Sequence, residues 1–197
     1  MNRRDLLKGI GLTLGYAVAT PSIISLLHSC KSETKIWVPQ FLSIDEGTVL
    51  KNLVDLILPT TEDSPGALDV NVPEFIDLYI NKAYDTKAQI KFKEGIISIM
   101  TALNISEKGP SELKMEQYDT LLTKYLKTTK IEQKAFKKDT EDGIIFNTLI
   151  NIRGTSIWAY KTSEQIGKKV LAYDPIPGWQ KGCIPLEEAT GGKAWSL

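Results

Sequence analysis

Histidine is almost missing from this chain: the only one among its 197 residues is His28. It sits at the end of an N-terminal apolar stretch, so a chain that loses that stretch has none. The shortage excludes a Ser-His-Asp triad, an imidazole general base near neutral pH, histidine-ligated zinc and histidine axial ligation of haem. Cysteine is nearly as scarce. Cys30 and Cys183 are the only two, too few for an iron–sulfur cluster, and no CxxCH is present to attach a c-type haem. An excess of either charge is also absent, with 24 basic and 24 acidic side chains. That balance lacks the basic footprint of a nucleic-acid surface, so no nucleic-acid partner is expected. The carboxylate pairs Glu62-Asp63, Glu141-Asp142 and Glu187-Glu188 are adjacent in sequence, which suits loops and solvated caps and gives no acid–base constellation. The composition is poorly equipped for catalysis.

What the chain does have begins at its N-terminus. Arg3 and Arg4 precede an apolar stretch from Gly9 to Leu27, the anatomy of a twin-arginine export signal over residues 1–29 that a translocase receptor reads. The stretch is long enough by count to span a bilayer. Gly9, Gly11, Gly15, Pro21, Ser22 and Ser25 interrupt it, however, which favours a signal over an anchor. The glycines form no dinucleotide fingerprint, because no strand precedes them and their spacing is wrong.

Cys30 follows the apolar stretch directly and is followed by the polar run Lys31-Ser32-Glu33-Thr34-Lys35. This resembles the lipobox of a bacterial lipoprotein, in which the cysteine becomes the first residue and is acylated. His28 stands where a small residue is usual. Acylation would give durable attachment, since each buried methylene contributes about 0.8 kcal/mol. The alternative is ordinary cleavage that leaves Cys30 as a thiol or half of a disulfide. With Cys30 acylated, Cys183 would be a lone thiol, buried or paired with another chain. The expected location is the periplasm, with the protein anchored to a membrane.

Loss of 29 residues leaves 168, one domain's worth. The remainder carries 21 basic and 23 acidic side chains. Residues 30–42 read as a tether. Ser43-Ile44-Asp45-Glu46 is a capping-box pattern, and the helix that follows carries Leu50, Leu53, Val54 and Ile57 up to a stop at Pro59. Ser64-Pro65-Gly66 marks a turn in the loop from Thr60 to Asn71. Pro73 suits the first position of a second helix bearing Phe75, Ile76, Tyr79, Ile80 and Ala83. Thr86 is placed to cap a third, with Ile90, Ile97, Met100 and Leu103 along it and a break at Gly109-Pro110. A fourth is expected near Met115 to Lys127. A fifth is expected near Ile131 to Tyr160, with Ile145, Phe146, Leu149, Ile152, Trp158 and a potential kink at Gly154. A short sixth is expected from Thr162 to Ala172. With no period-two alternation, the expectation is an all-α domain of about six helices over residues 43–172.

Residues 173–197 differ in kind. Seven prolines and glycines, from Pro175 to Gly192, rule out a long helix. Tyr173, Ile176, Trp179, Ile184 and Trp195 make the segment too apolar for a disordered tail. It reads as an extended arm, laid either on the domain's own helices or on a partner. In the second case Tyr173, Trp179, Cys183 and Trp195 are the candidate interface residues.

Three stretches carry a resemblance. They are Leu53 to Asp69 continuing into Val72-Pro73-Glu74-Phe75-Ile76-Asp77, then Thr162-Ser163-Glu164-Gln165-Ile166-Gly167, then Tyr173-Asp174-Pro175-Ile176-Pro177-Gly178 with Gly182-Cys183. In this order they resemble the small subunit, subunit 3, of gluconate 2-dehydrogenase and related membrane-bound flavin dehydrogenases. The segment from Thr86 to Lys138 matches only as helices. The resemblance implies a large FAD-dependent subunit of the glucose–methanol–choline type, a c-type cytochrome, and a small subunit whose twin-arginine signal escorts the flavoprotein. It implies no catalytic, cofactor or metal residue in this chain, with FAD held by the partner. The lipobox-like Cys30 departs from the family pattern and would make this chain an anchor as well. The rival reading is a stand-alone, lipid-anchored helical binding protein.

Overall fold

The computed structural model describes residues 37–105, 109–137, 139–176, 178 and 182–196. The signal with Arg3 and Arg4, Cys30, and most of the tether lie outside the described residues. The fold is contained in the unit Val38–Leu197.

Helix α1 (Ile44–Ile57) starts on the expected capping box. The Ser43 hydroxyl accepts from the Glu46 amide at 3.2 Å, and the Glu46 carboxylate accepts from the Ser43 amide at 2.7 Å. The helix ends just before Pro59, as that residue requires. Helix α2 (Val72–Ala83) carries Pro73 in its first turn. Helix α3 (Thr86–Ala102) is capped by Asp85 and not by Thr86. The Asp85 carboxylate reaches the Ala88 amide at 2.7 Å, and Thr86 is already the first helical residue. Helix α4 (Met115–Leu126) lies where the apolar spacing predicts it.

The expected fifth helix is two pieces. A single turn, α5 (Lys130–Gln133), is separated from the long α6 (Glu141–Thr162). The separation follows from a second start signal, because the Thr140 hydroxyl accepts from the Gly143 amide at 3.2 Å and donates to the Lys137 carbonyl. Helix α6 continues through Gly154. The expected sixth helix is present but short: after a bend at Ser163 the chain is helical from 164 and takes π-helical geometry over Ile166–Val170. A short α7 (Leu186–Thr190) interrupts the arm. Among the described residues there is no strand, only one isolated parallel bridge between Ala172 and Trp195, so the domain is all-α. No helix among them is long and apolar enough to cross a membrane.

Helix α6 is the hub. It packs against α1, α2, α3, α4 and the π-helical segment. Its Ile145, Leu149, Ile152 and Ala159 are buried, as are Leu50 and Leu53 of α1, Ile76 and Ile80 of α2, Ile96 and Ile99 of α3, and Tyr118 and Tyr125 of α4. Each full burial of such an aliphatic side chain contributes about 1.5–3 kcal/mol relative to exposure. Helices α3 and α6 approach closely at Gly95, where a methyl group would overlap the Thr148 side chain.

A buried carboxylate ties the chain into this core. Asp77 of α2, 1% exposed, accepts from the backbone amides of Gln40 at 2.6 Å, Phe41 at 3.1 Å and Leu42 at 2.9 Å. Three amides that no helix could satisfy are thereby paired.

Gly95→Ala is expected to destabilise the domain by about 1–3 kcal/mol through overpacking, although alanine is the better helix former by about 1 kcal/mol. Adding Thr148→Ala should return part of the loss. Urea denaturation of the two variants measures both effects, and an unchanged or raised midpoint for Gly95→Ala contradicts the close approach.

Candidate partner-binding surface

The loop between α1 and α2 is held by hydrogen bonds at both of its ends. The Asp69 carboxylate accepts from the Thr60 hydroxyl and from the Gly66 amide, both at 2.7 Å. The Ala67 amide donates to the Leu58 carbonyl and the Val72 amide to the Ala67 carbonyl. Gly66 is required here because a methyl group would collide with the Thr60 backbone. From across the fold, the Tyr160 hydroxyl of α6 donates to the Pro65 carbonyl at 2.7 Å and meets the Ser64 hydroxyl. The segment Ser64-Pro65-Gly66, where a turn is predicted, lies between bends at 62–64 and a turn at 67–70 and is fastened to the hub helix.

Beside this loop, α2 and α6 present a cluster of rings. Phe75 stacks on Tyr79 with centroids 5.7 Å apart, and Trp158 meets both rings at 5.3 Å. Tyr84 closes edge-on against Tyr79 at 5.7 Å. These arrangements are the offset and edge contacts that aromatic pairs favour. Yet Phe75 is 38% exposed, Trp158 43% and the neighbouring Leu78 42%. The reason lies in α6, whose apolar residues occupy two faces. Ile145, Leu149 and Ile152 face the core, while Ile157 and Trp158 are left at the surface. A helix that needs only one apolar face to fold has here a second. Phe75, Leu78 and Trp158 thus form a partly exposed apolar patch on the α2–α6 face.

Where the loop meets the patch there is an open depression of about 370 Å³, with Val70, Asn71, Glu74, Leu78, Ala159 and Thr162 in its lining. The Oε2 of Glu74 is buried and has no hydrogen-bond partner among the described residues.

The arm is fastened at its ends. The Ala172 amide donates to the Ala194 carbonyl at 2.9 Å, and the Ser196 amide to the Ala172 carbonyl at 2.8 Å. Ser196 also lies against Gly167 of the π-helical segment. Residues 172 and 194–196 are therefore laid on the protein's own fold. The Tyr173 and Trp195 side chains are nevertheless about half exposed, and Cys183 is a free, exposed thiol. Trp179 lies outside the described residues.

Other polar groups serve the fold. Asp142 at the start of α6 accepts from the Tyr125 hydroxyl and from Lys124 of α4. Tyr125 and then Lys124 hold the Asp142 carboxyl below its ordinary value, while burial pushes the Tyr125 phenol up. Among the described residues no group of histidine, cysteine, aspartate or glutamate side chains is arranged to hold a metal ion. Glu62 and Asp63 are exposed on the loop.

The ring cluster, Phe75, Tyr79, Tyr84 and Trp158, is absent from the sequence-based candidates. Its signal is nevertheless present: α2 carries apolar residues at 72, 75, 76, 78, 79 and 80, more than one helical stripe can bury.

A family model described as gluconate 2-dehydrogenase subunit 3 matches residues 44–178. The match runs from the first turn of α1 through the loop, the ring cluster and α6 into the arm. No curated protein and no solved structure matches the chain.

The loop's fastening predicts an acid response. The Thr60 hydroxyl first, then the Gly66 amide, hold the Asp69 carboxyl below its ordinary 3.8. A carboxyl depressed in the folded state contributes stability that is complete above its ordinary value and lost as pH falls through the lowered one. The Gly66 amide resonance should therefore shift only as pH drops below 3.8. The stability difference between wild type and Asp69→Asn should vanish over the same range. A shift already complete at pH 5 contradicts the assignment.

Proposed function

This chain belongs to the gluconate 2-dehydrogenase subunit 3 family, and from that premise we propose that it is a non-catalytic small subunit. In this reading it escorts a FAD-dependent sugar, sugar-acid or polyol dehydrogenase through the twin-arginine route and holds it at the periplasmic face of a membrane. The observation that carries the reading is the family match across residues 44–178, which includes the loop and the exposed ring cluster together. The physical logic is one of order. A flavin must be bound before a folded protein is exported, so one export signal on a bound subunit serves both chains.

The parts divide as follows. Arg3 and Arg4 supply the address that the translocase reads. Cys30, once acylated, supplies the anchor. The helical domain holds the partner, which carries the FAD and the substrate pocket, and a c-type cytochrome takes electrons onward. The apolar patch on α2 and α6 supports this reading, since a surface of exposed rings is costly in a chain that works alone.

Fractionation of cells producing this chain and its flavoprotein tests both roles. Replacing Arg3 and Arg4 by lysine is expected to leave the dehydrogenase activity in the cytoplasm. Cys30→Ala is expected to move that activity from the membrane to the soluble periplasmic fraction. Full periplasmic activity with both arginines replaced contradicts the escort role, and an unaltered membrane fraction with Cys30→Ala contradicts the anchor.

A further inference from the structure

We propose that the single turn α5 and its flanks, residues 124–137, form a basic patch that lies on an anionic lipid surface, with Ile131 entering the headgroup region. The inference rests on the reading above that the chain is held at a membrane, and adds which side of the domain turns toward the lipid.

The first observation is a segregation of charge. Between Lys124 and Lys138 there are six lysines, one carboxylate (Glu132) and no arginine. The whole chain carries 24 basic and 24 acidic side chains, so the remainder is acidic on balance. The neutral total conceals one positive stretch.

The second is that the fold gathers this stretch into a compact knob with its lysines outward. Phe136 turns inward, packing on Tyr125 with centroids 5.4 Å apart and on Phe146 at 5.1 Å. The Gln133 side-chain amide donates to the Thr128 carbonyl at 3.1 Å. The one carboxylate is engaged inside the turn, where Glu132 accepts from the Thr129 amide at 2.7 Å and the Thr129 hydroxyl at 2.8 Å. Lys127, Lys130, Lys134 and Lys137 are all exposed. Among the described residues the ion pairs join Lys93 to Glu46, Lys124 to Asp142 and Lys168 to Glu164, and none includes those four. The carboxylates that follow in the chain, Glu141 and Asp142, occupy the first turn of α6, where they complement the helix dipole. Asp139 is exposed just before them.

The third is Ile131, which is 81% exposed in the same turn. One exposed aliphatic residue is ordinary on a protein surface. Its setting between Lys130 and Lys134 is what points to lipid. Lysines attract anionic headgroups while an apolar neighbour enters the boundary of the acyl chains. A protein partner fits the same patch less well. Protein interfaces favour arginine and exposed aromatic rings and are depleted in lysine, whereas this patch has lysine alone and turns its ring inward. The patch also supplies what an acyl anchor lacks. A lipid chain on a tether leaves the domain free to turn, and a basic surface used with it strengthens attachment and sets the orientation.

The test uses the exported chain with Cys30→Ala, which removes the acyl anchor and keeps the patch, purified and mixed with vesicles at low ionic strength. The vesicles are phosphatidylcholine alone, or phosphatidylcholine and phosphatidylglycerol in equal parts. Co-sedimentation is expected with the anionic vesicles only, and added salt should reverse it. Replacing Lys127, Lys130 and Lys134 together by glutamine should weaken it by about tenfold or more. Ile131→Ser should weaken it severalfold and leave the melting temperature unchanged, because that side chain is exposed. A control with Lys51, Lys87 and Lys91 replaced by glutamine has the same net charge, loses only exposed lysines elsewhere, and should bind as well as the unsubstituted patch.

Equal binding to both kinds of vesicle, or equal loss in the two triple variants, overturns the proposal and leaves the anchor reading standing. Absence of binding to either vesicle overturns it too. If the Lys127, Lys130 and Lys134 variant then loses its flavoprotein, the patch belongs to an acidic surface of that partner. A chain with Cys30 intact that fractionates wholly as a soluble protein overturns the anchor reading, and the proposal falls with it.

Discussion

Everything in this domain depends on α6, and on the fact that its apolar residues do not form a single stripe. One side, built from Ile145, Leu149 and Ile152, is buried by α1 to α4. That contact is close enough on the α3 side that Gly95 has no room for a methyl group. Hydrophobic burial on this side supplies the folding free energy, at about 25 cal/mol per Å² of apolar surface. The other side leaves Ile157 and Trp158 partly exposed. Its Trp158 ring packs on Phe75 and Tyr79 of α2.

Irregular segments are held to this helical core by polar contacts. Asp77 pairs the amides of residues 40–42, Asp69 closes the loop onto itself, and Tyr160 fastens that loop to α6. Each bond is worth only about 1 kcal/mol net, but a buried amide left unpaired costs about 1–3 kcal/mol. Their role is therefore to fix position. They hold the loop beside the ring cluster.

The sequence showed the helical class, the Ser43–Glu46 cap and the stop at Pro59 because each rests on chemistry local to a few residues. It misplaced what depends on competition between neighbours. Asp85 displaces Thr86 as a cap because its carboxylate stands one residue earlier and reaches the Ala88 amide. Thr140 restarts a helix inside what looked like one apolar repeat from Ile131 to Tyr160. The surface was the least legible part. Phe75, Tyr79 and Trp158 fit a helical apolar pattern as well as core residues do, and only packing decides which apolar positions are covered. The arm's alternatives divide between its parts: residues 194–196 bond back to Ala172, while Tyr173 and Trp195 keep much of their surface open.

The central claim is that the α2–α6 face is where this subunit meets its flavoprotein. Hydrogen exchange of the full chain, alone and in the complex, tests it most directly. Slowed exchange confined to the first turns of α2, the adjoining loop and the last turns of α6 is the predicted result. Protection that falls only on the outer faces of α3 and α4, with α2 and the end of α6 unchanged, would contradict it.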